Sequence, residues 1–284
     1  MSIRALFGAL ERVAPRPGAA LAERLWLTMP RYRGGRRSRT LPLAETFSVT
    51  VDGGRVTGRA WGMGPRVYLV HGWGGASEQL EPFVEPLLTA GYRVITFDAL
   101  SHGDSEPGRL GQRRTTIPEM AAALTAVVAE HGQAHAVISH SLGCAATFFA
   151  VRRGLPAGRL VFLAPMTQPD PYTILFAARL GFGERIRAGM RDRVAARVGL
   201  PWSEFDIPSQ VAGLAAPPPL LLVHDPRDRE TRYADSLAVQ RVWPDARLIT
   251  VTGRGHWRIL RDRETIDHTL AFLAPRAGQG RQVS

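Results

Sequence analysis

The sequence predicts an α/β fold with a mostly parallel sheet of about eight strands, covered by helices on both faces. Three observations predict it. Short apolar runs of strand length recur from Val67 to Val251. Segments with apolar residues at helical spacing alternate with them. The runs are apolar along most of their length, which marks strands buried on both sides.

Residues 1–45 stand outside this pattern. Ile3, Leu6, Phe7 and Leu10 share one helical face, and Leu21, Leu25, Trp26 and Met29 suggest a second helix. Pro15, Pro17 and Gly18 read as the break between the two. From Glu45 the period becomes two: residues 47–51 and 55–61 form a hairpin around Asp52-Gly53-Gly54. Residues 67–70 are a buried strand that ends in His71-Gly72-Trp73-Gly74-Gly75. A helix capped by Ser77 runs from there to Gly91. Residues 93–98 form a strand and 118–130 a helix, and a strand from Ala136 leads into a helix after Ser141. Strands follow at 159–164, 220–224 and 247–251, with helices at 233–242 and 265–273.

Residues 166–216 interrupt the alternation. Helical pieces at 172–180 and 184–198, with scattered aromatic residues, read as an inserted helical cap that shapes a substrate pocket. The expected organisation is an amphipathic and basic extension (1–45), a core (46–165 and 217–275), the cap (166–216) and a loose tail (276–284).

Composition narrows the function classes. With 284 residues, 45% hydrophobic and 21% charged, the chain is an ordinary globular protein with room for a large core. The formal charge of +11 invites a nucleic-acid partner. However, all 36 basic residues are arginine and they are spread along the chain. Together with abundant Ala, Gly and Pro, this reads as genome composition, so no nucleic-acid partner is expected. The one dense cluster is RYRGGRRSR at 31–39, read as a solvated linker. The single cysteine, Cys144, forbids an internal disulfide and reads as a packing residue. No run is long enough to span a bilayer, and no secretory segment develops at the N-terminus, so a cytoplasmic protein is expected. Neither a metal-ligand spacing nor a glycine-rich phosphate loop occurs, and no cofactor or metal is expected.

The chemistry centres on residues 134–153. A short strand ends in Ser139-His140-Ser141-Leu142-Gly143, and a helix of small and apolar residues begins at once. A sharp strand-to-helix turn would hold the Ser141 hydroxyl clear of the sheet, at a helix N-terminus that favours developing negative charge. Gly143 and Ser139 supply the small side chains such a turn needs. Hydrolysis through serine also needs an imidazole and a carboxylate. His256 lies in a glycine-flanked loop after the last strand. Asp225-Pro226-Arg227-Asp228 follows the strand before it, and either aspartate could serve.

From about Phe47 to Leu273 the chain resembles the α/β-hydrolase fold family. The resemblance is carried by VYLVHGWGG (67–75), FDALSHGDS (97–105), SHSLG (139–143), LLLVHDPRDRET (220–231) and GRGHW (253–257), in the family's order. It implies Ser141 as nucleophile, His256 as general base and Asp228 as the orienting acid. It also implies an oxyanion hole from the backbone N–H groups of Trp73 and Leu142. Asp225 stands where the family has glycine and so remains a rival acid, and Asp170 is a more distant one. Of the other histidines, His71, His102 and His224 are expected to brace loops. His140 should point away from Ser141, and His131, His135 and His268 read as surface residues.

The expected activity is hydrolysis of carboxylic esters or thioesters of a small-molecule acyl substrate through an acyl-enzyme. Serine at the turn argues against the dehalogenase and epoxide-hydrolase branches. Lactonase, perhydrolase and peptidase chemistry would use the same groups. Readings from other classes are a non-catalytic member of the fold and a basic protein that binds acidic surfaces through residues 31–39.

Overall fold

The computed structural model describes residues 2–30 and 41–274. The arginine cluster at 31–39 and the tail from 275 lie outside the described residues.

Eight strands form one sheet: β1 (Glu45–Val51), β2 (Gly54–Trp61), β3 (Arg66–Val70), β4 (Arg93–Asp98), β5 (Ala136–His140), β6 (Leu160–Leu163), β7 (Leu220–His224) and β8 (Arg247–Thr250). Their spatial order is β1-β2-β4-β3-β5-β6-β7-β8. β1–β2 and β2–β4 are antiparallel, and every other pair is parallel. The helices are α1 (Ile3–Val13), α2 (Pro15–Trp26), α3 (Val84–Thr89), α4 (Ile117–His131), α5 (Leu142–Arg152), α6 (Pro169–Leu180), α7 (Glu184–Val198), α8 (Ile207–Gln210), α9 (Tyr233–Val242), α10 (Gly255–Arg258) and α11 (Arg263–Leu273). Among the described residues no helix is long and apolar enough to cross a membrane.

The alternation of side chains along a strand sorts the core into two layers. Tyr68, Val70, Phe162 and Leu222 face α4, α5 and α9, through Met120, Leu124, Phe148 and Val239. Val67, Leu69, Val161 and Val223 face the other way, toward Leu87 of α3 and Leu273 of α11. This double burial is why β3, β5, β6 and β7 are apolar on both faces.

Two details depart from the sequence-based expectation. Pro15, Pro17 and Gly18 do not separate the first two helices but form the first turn of α2. A proline there forgoes an N–H that would have had no intrahelical partner. Ser77 is not a cap. It begins a 3-10 turn (Ser77–Phe83), and its backbone N–H donates to Asp98 Oδ1 at 2.7 Å.

Away from the sheet, Phe7, Ala22, Ala177, Phe182, Ile186 and Met190 form a separate small core that joins α1 and α2 to α6 and α7. Buried Glu23 of α2 takes Arg193 at 2.7 Å and also pairs with Arg197, both from α7. Glu11 accepts the N–H groups of Gly183 and Arg185 at 3.0 Å each, so an acidic side chain from α1 caps α7. The hairpin of residues 2–30 thus joins the segment between β6 and β7.

Candidate active site

β5 and α5 meet at Ser141, whose φ of 54° and ψ of −123° are unusual for a residue with a side chain. The surroundings hold it there. Its N–H donates to the Leu163 carbonyl at 3.0 Å, and its own carbonyl accepts from Cys144 and Met166. Gly143 permits the approach: a Cβ at that position would lie 2.4 Å from the His71 carbonyl oxygen. Ser139 is fully buried, with its hydroxyl 2.6 Å from that of Thr147. Cys144 is also buried, donates to the Ser139 carbonyl at 3.2 Å, and has its thiol pKa pushed well up by burial. Because α5 starts at Leu142, the N–H of Leu142 has no partner within the helix.

The loop after β3, which carries Trp73, is stapled to the loop after β4. His71 Nε2 accepts the Ala99 N–H at 3.0 Å, so its proton sits on Nδ1, which donates to the Gly72 carbonyl at 2.8 Å. His102 Nε2 accepts the Gly74 N–H at 3.3 Å, and its Nδ1 donates to the Leu100 carbonyl at 3.0 Å. Asp98 accepts from the N–H groups of Ser77 and Asp104. Burial lowers the pKa of His71, and burial with the adjacent His71 ring lowers that of His102 to about 3. Both rings are therefore neutral braces.

The imidazole and carboxylate come from the ends of β7 and β8. His256 is buried (6% exposed) in the first turn of α10, where a loop was expected. Its Nδ1 lies 2.8 Å from Asp228 Oδ2. Burial opposes the charge on Asp228. Hydrogen bonds from His224 and His256, the His256 ring itself and the Glu230 N–H nonetheless hold the carboxyl far below the usual carboxylate range. Asp225 does not approach the ring. It accepts the N–H groups of Arg254 and Gly255 at 2.6 Å each and of Arg227 at 2.8 Å, and so ties the β8–α10 connection to the end of β7. Asp170 lies on α6, in ion pairs with Arg187 and Arg191. Geometry therefore separates the three candidate acids, and only Asp228 meets His256.

Several contributors escaped the sequence reading. Thr231 Oγ1 lies 2.9 Å from Asp228 Oδ2 and 3.2 Å from His256 Nδ1, and it reaches the Ala164 carbonyl at 3.1 Å. Its position three residues after an aspartate in a polar turn was the available signal. His140 is fully buried beneath His256. Its Nε2 donates to the His256 carbonyl at 3.0 Å, and burial followed by the His256 ring pushes its pKa well down. Through that bond it supports the His256 half of the site. His131 and His135 are half-buried, not surface residues. Tyr172 of α6 donates to Asp235 of α9 at 2.9 Å and accepts the Arg232 N–H at 3.0 Å, which pins α6 to the core.

Trp73, Ser141, Leu142 and His256 line a single cavity of about 980 Å³. Its wall is predominantly apolar and includes residues of α2, α6 and α7. Among the described residues no group of three or more His, Cys, Asp or Glu side chains is placed to hold a metal ion.

The model of a single family, described as the alpha/beta hydrolase family, matches residues 67–268. The chain belongs to the alpha/beta hydrolase family. Its broad activity class is accordingly that of a hydrolase. Solved structures share the fold at low identity. A bacterial membrane phospholipase A, described as a virulence factor, is 18% identical with a TM-score of 0.61, over 95% of this chain and 94% of that one. A thermophilic esterase from Thermogutta terrifontis is 18% identical with a TM-score of 0.59, over 81% and 97%. A structure from a study of carboxylesterases of the ammonia-oxidizing thaumarchaeon Nitrososphaera gargenis is also 18% identical with a TM-score of 0.59, over 81% and 97%. No curated protein matches the chain.

Proposed function

We propose that the protein is a serine hydrolase that cleaves carboxylic esters or thioesters through an acyl-enzyme. The observation that carries this reading is the 2.8 Å contact of Asp228 with His256 Nδ1, with His256 and Ser141 on the wall of the same cavity. A ring that donates from Nδ1 to a carboxylate leaves Nε2 to take a proton.

In this mechanism Ser141 Oγ attacks the acyl carbonyl while His256 Nε2 accepts the hydroxyl proton. Asp228 stabilises the imidazolium that forms. The backbone N–H groups of Trp73 and Leu142 hold the oxyanion, an interaction worth ~2.7–4 kcal/mol per donor. Collapse of the tetrahedral intermediate expels the alcohol or thiol, which takes the proton from His256. Water then attacks the acyl-serine with His256 again as base and releases the acid. Residues 166–216, together with the hairpin of residues 2–30, act as the cap that keeps bulk water from the cavity. A cytoplasmic setting fits the lone buried Cys144.

Lactonase, perhydrolase and peptidase chemistry draw on the same groups, and a substrate panel distinguishes them. The direct test is labelling with a fluorophosphonate probe. Wild type should be labelled at Ser141 and should hydrolyse p-nitrophenyl esters, and Ser141→Ala should lose both properties. Full labelling of Ser141→Ala, or undiminished turnover by it, would refute the proposal.

A further inference from the structure

The cavity has a wall that the family match does not cover. Leu25, Trp26, Leu27, Met29 and Pro30 all line it, and all precede residue 67, where the match begins. This segment is fixed at both ends. α2 lies so close to α7 that a Cβ at Gly18 would fall 2.4 Å from Ile186 Cδ1, and Glu23 binds Arg193 and Arg197. Beyond the helix, the Met29 N–H donates to the Arg113 carbonyl at 2.8 Å, and the Pro30 ring rests against Gly74 of the loop that carries Trp73. The wall therefore runs from the candidate oxyanion loop up to the α6–α7 pair.

The chemistry of this wall is uniform. The Trp26 ring stands 5.2 Å from Phe176 and 5.9 Å from Trp202. The Trp202 N–H is spent on the Arg191 carbonyl at 2.9 Å, which leaves the ring as an apolar surface. The lining arginines and glutamate, Arg179, Arg229 and Glu230, are all exposed. Among the described residues the interior therefore offers mainly hydrocarbon and aromatic surface, with Gln79, Thr115 and Thr116 among its few polar side chains and no buried carboxylate or guanidinium. A volume near 980 Å³ stands at the top of the range for small-molecule pockets.

We infer that the substrate carries an extended apolar acyl chain, and that the N-terminal hairpin supplies the wall on which this chain lies, with Trp26 as its principal contact. The inference rests on the acyl-transfer reading given above. Each methylene transferred from water to such a wall should raise kcat/KM by about fourfold.

The test uses the full chain with p-nitrophenyl butyrate and octanoate. Wild type should favour octanoate by up to about 250-fold if all four added methylenes are buried, and by at least about tenfold if half of them are. Two variants, checked for folding by circular dichroism and thermal melting, change the wall in opposite ways: Trp26→Ala removes a contact, and Ala195→Phe fills the cavity from α7. The octanoate-to-butyrate ratio should fall at least about threefold in either variant. A wild-type ratio near one, or a ratio unchanged in both variants, overturns the inference. A measurement without chemistry separates this outcome from failure of the serine mechanism. If Ser141 is not labelled and neither ester is cleaved, the mechanism fails, and calorimetric titration of dodecanoate into wild type then decides the wall. Saturable binding that Ala195→Phe weakens supports it, and absence of binding overturns it.

Discussion

Asp225 and Asp228 stand three residues apart, and the structure assigns them different work, so exchanging each for asparagine should give opposite results. Asp225 Oδ2 accepts two backbone N–H groups of the β8–α10 connection, and Oδ1 accepts a third from Arg227. Asparagine has one oxygen. Its better orientation keeps that oxygen on Arg254 and Gly255 and turns its NH₂ toward the Arg227 N–H, donor against donor. One hydrogen bond to a charged group is lost, worth ~1.5–3 kcal/mol, and the other two fall to neutral strength. The sum is about 3–5 kcal/mol, which for a chain of this size lowers Tm by roughly 10 °C. The Asp228–His256 pair survives, so kcat measured well below the melting range should fall by less than about tenfold. Asp228→Asn removes the carboxylate from the His256 ring, and kcat should fall by about 10⁴. Thermal melts and p-nitrophenyl butyrate turnover on both variants decide the matter. If Asp225→Asn loses as much kcat as Asp228→Asn while keeping its Tm, the assignment is wrong.

Gly143→Ala should lower stability by about 1–3 kcal/mol, because the new Cβ meets the backbone carbonyls of His71 and Val70 at 2.4 and 3.0 Å, and neither can rotate away. A melting temperature equal to wild type would show a looser strand–helix approach than the one described. Stability should also depend on pH through His102. Its folded form is neutral, with a pKa of about 3, so the unfolded chain binds the additional proton. Stability is then lost as pH falls from about 6.5 toward about 3, by about 2 kcal/mol between pH 7 and pH 5 from this residue. His71 and His140 act in the same direction, and the raised carboxyls of Glu119 and Asp235 oppose them. Denaturant titrations at the two pH values measure the net, and a flat profile would contradict the neutral-brace description.

Much of the sheet was legible because strands buried on both faces leave a local signature: a few consecutive apolar residues between turns, as at Val67–Leu69 and Leu220–Val223. The turn at Ser141 was legible for the same reason, since strand, small residues and helix are contiguous. What stayed hidden depends on contacts between distant segments. Nothing local shows that Glu11 and Glu23 answer α7 some 170 positions later. Pro15 and Pro17 look like a break until a neighbouring helix gives α2 a reason to start there. The family resemblance favours Asp228 over Asp225, but only the fold of the β8–α10 connection reveals which carboxylate meets backbone and which meets a ring. His140 and Thr231 act through main-chain and side-chain partners brought in by other strands.

The clamp between α2 and α7 also has a consequence for the order of events during synthesis. The first thirty residues leave the ribosome long before their binding partner exists, because Glu23 and Arg193 are separated by 170 positions. Closing so long a loop is entropically costly and is rewarded only once the later helix is present. A nascent chain therefore carries an unsheltered apolar hairpin until α7 (Glu184–Val198) has emerged, and only then can this wall of the chamber close.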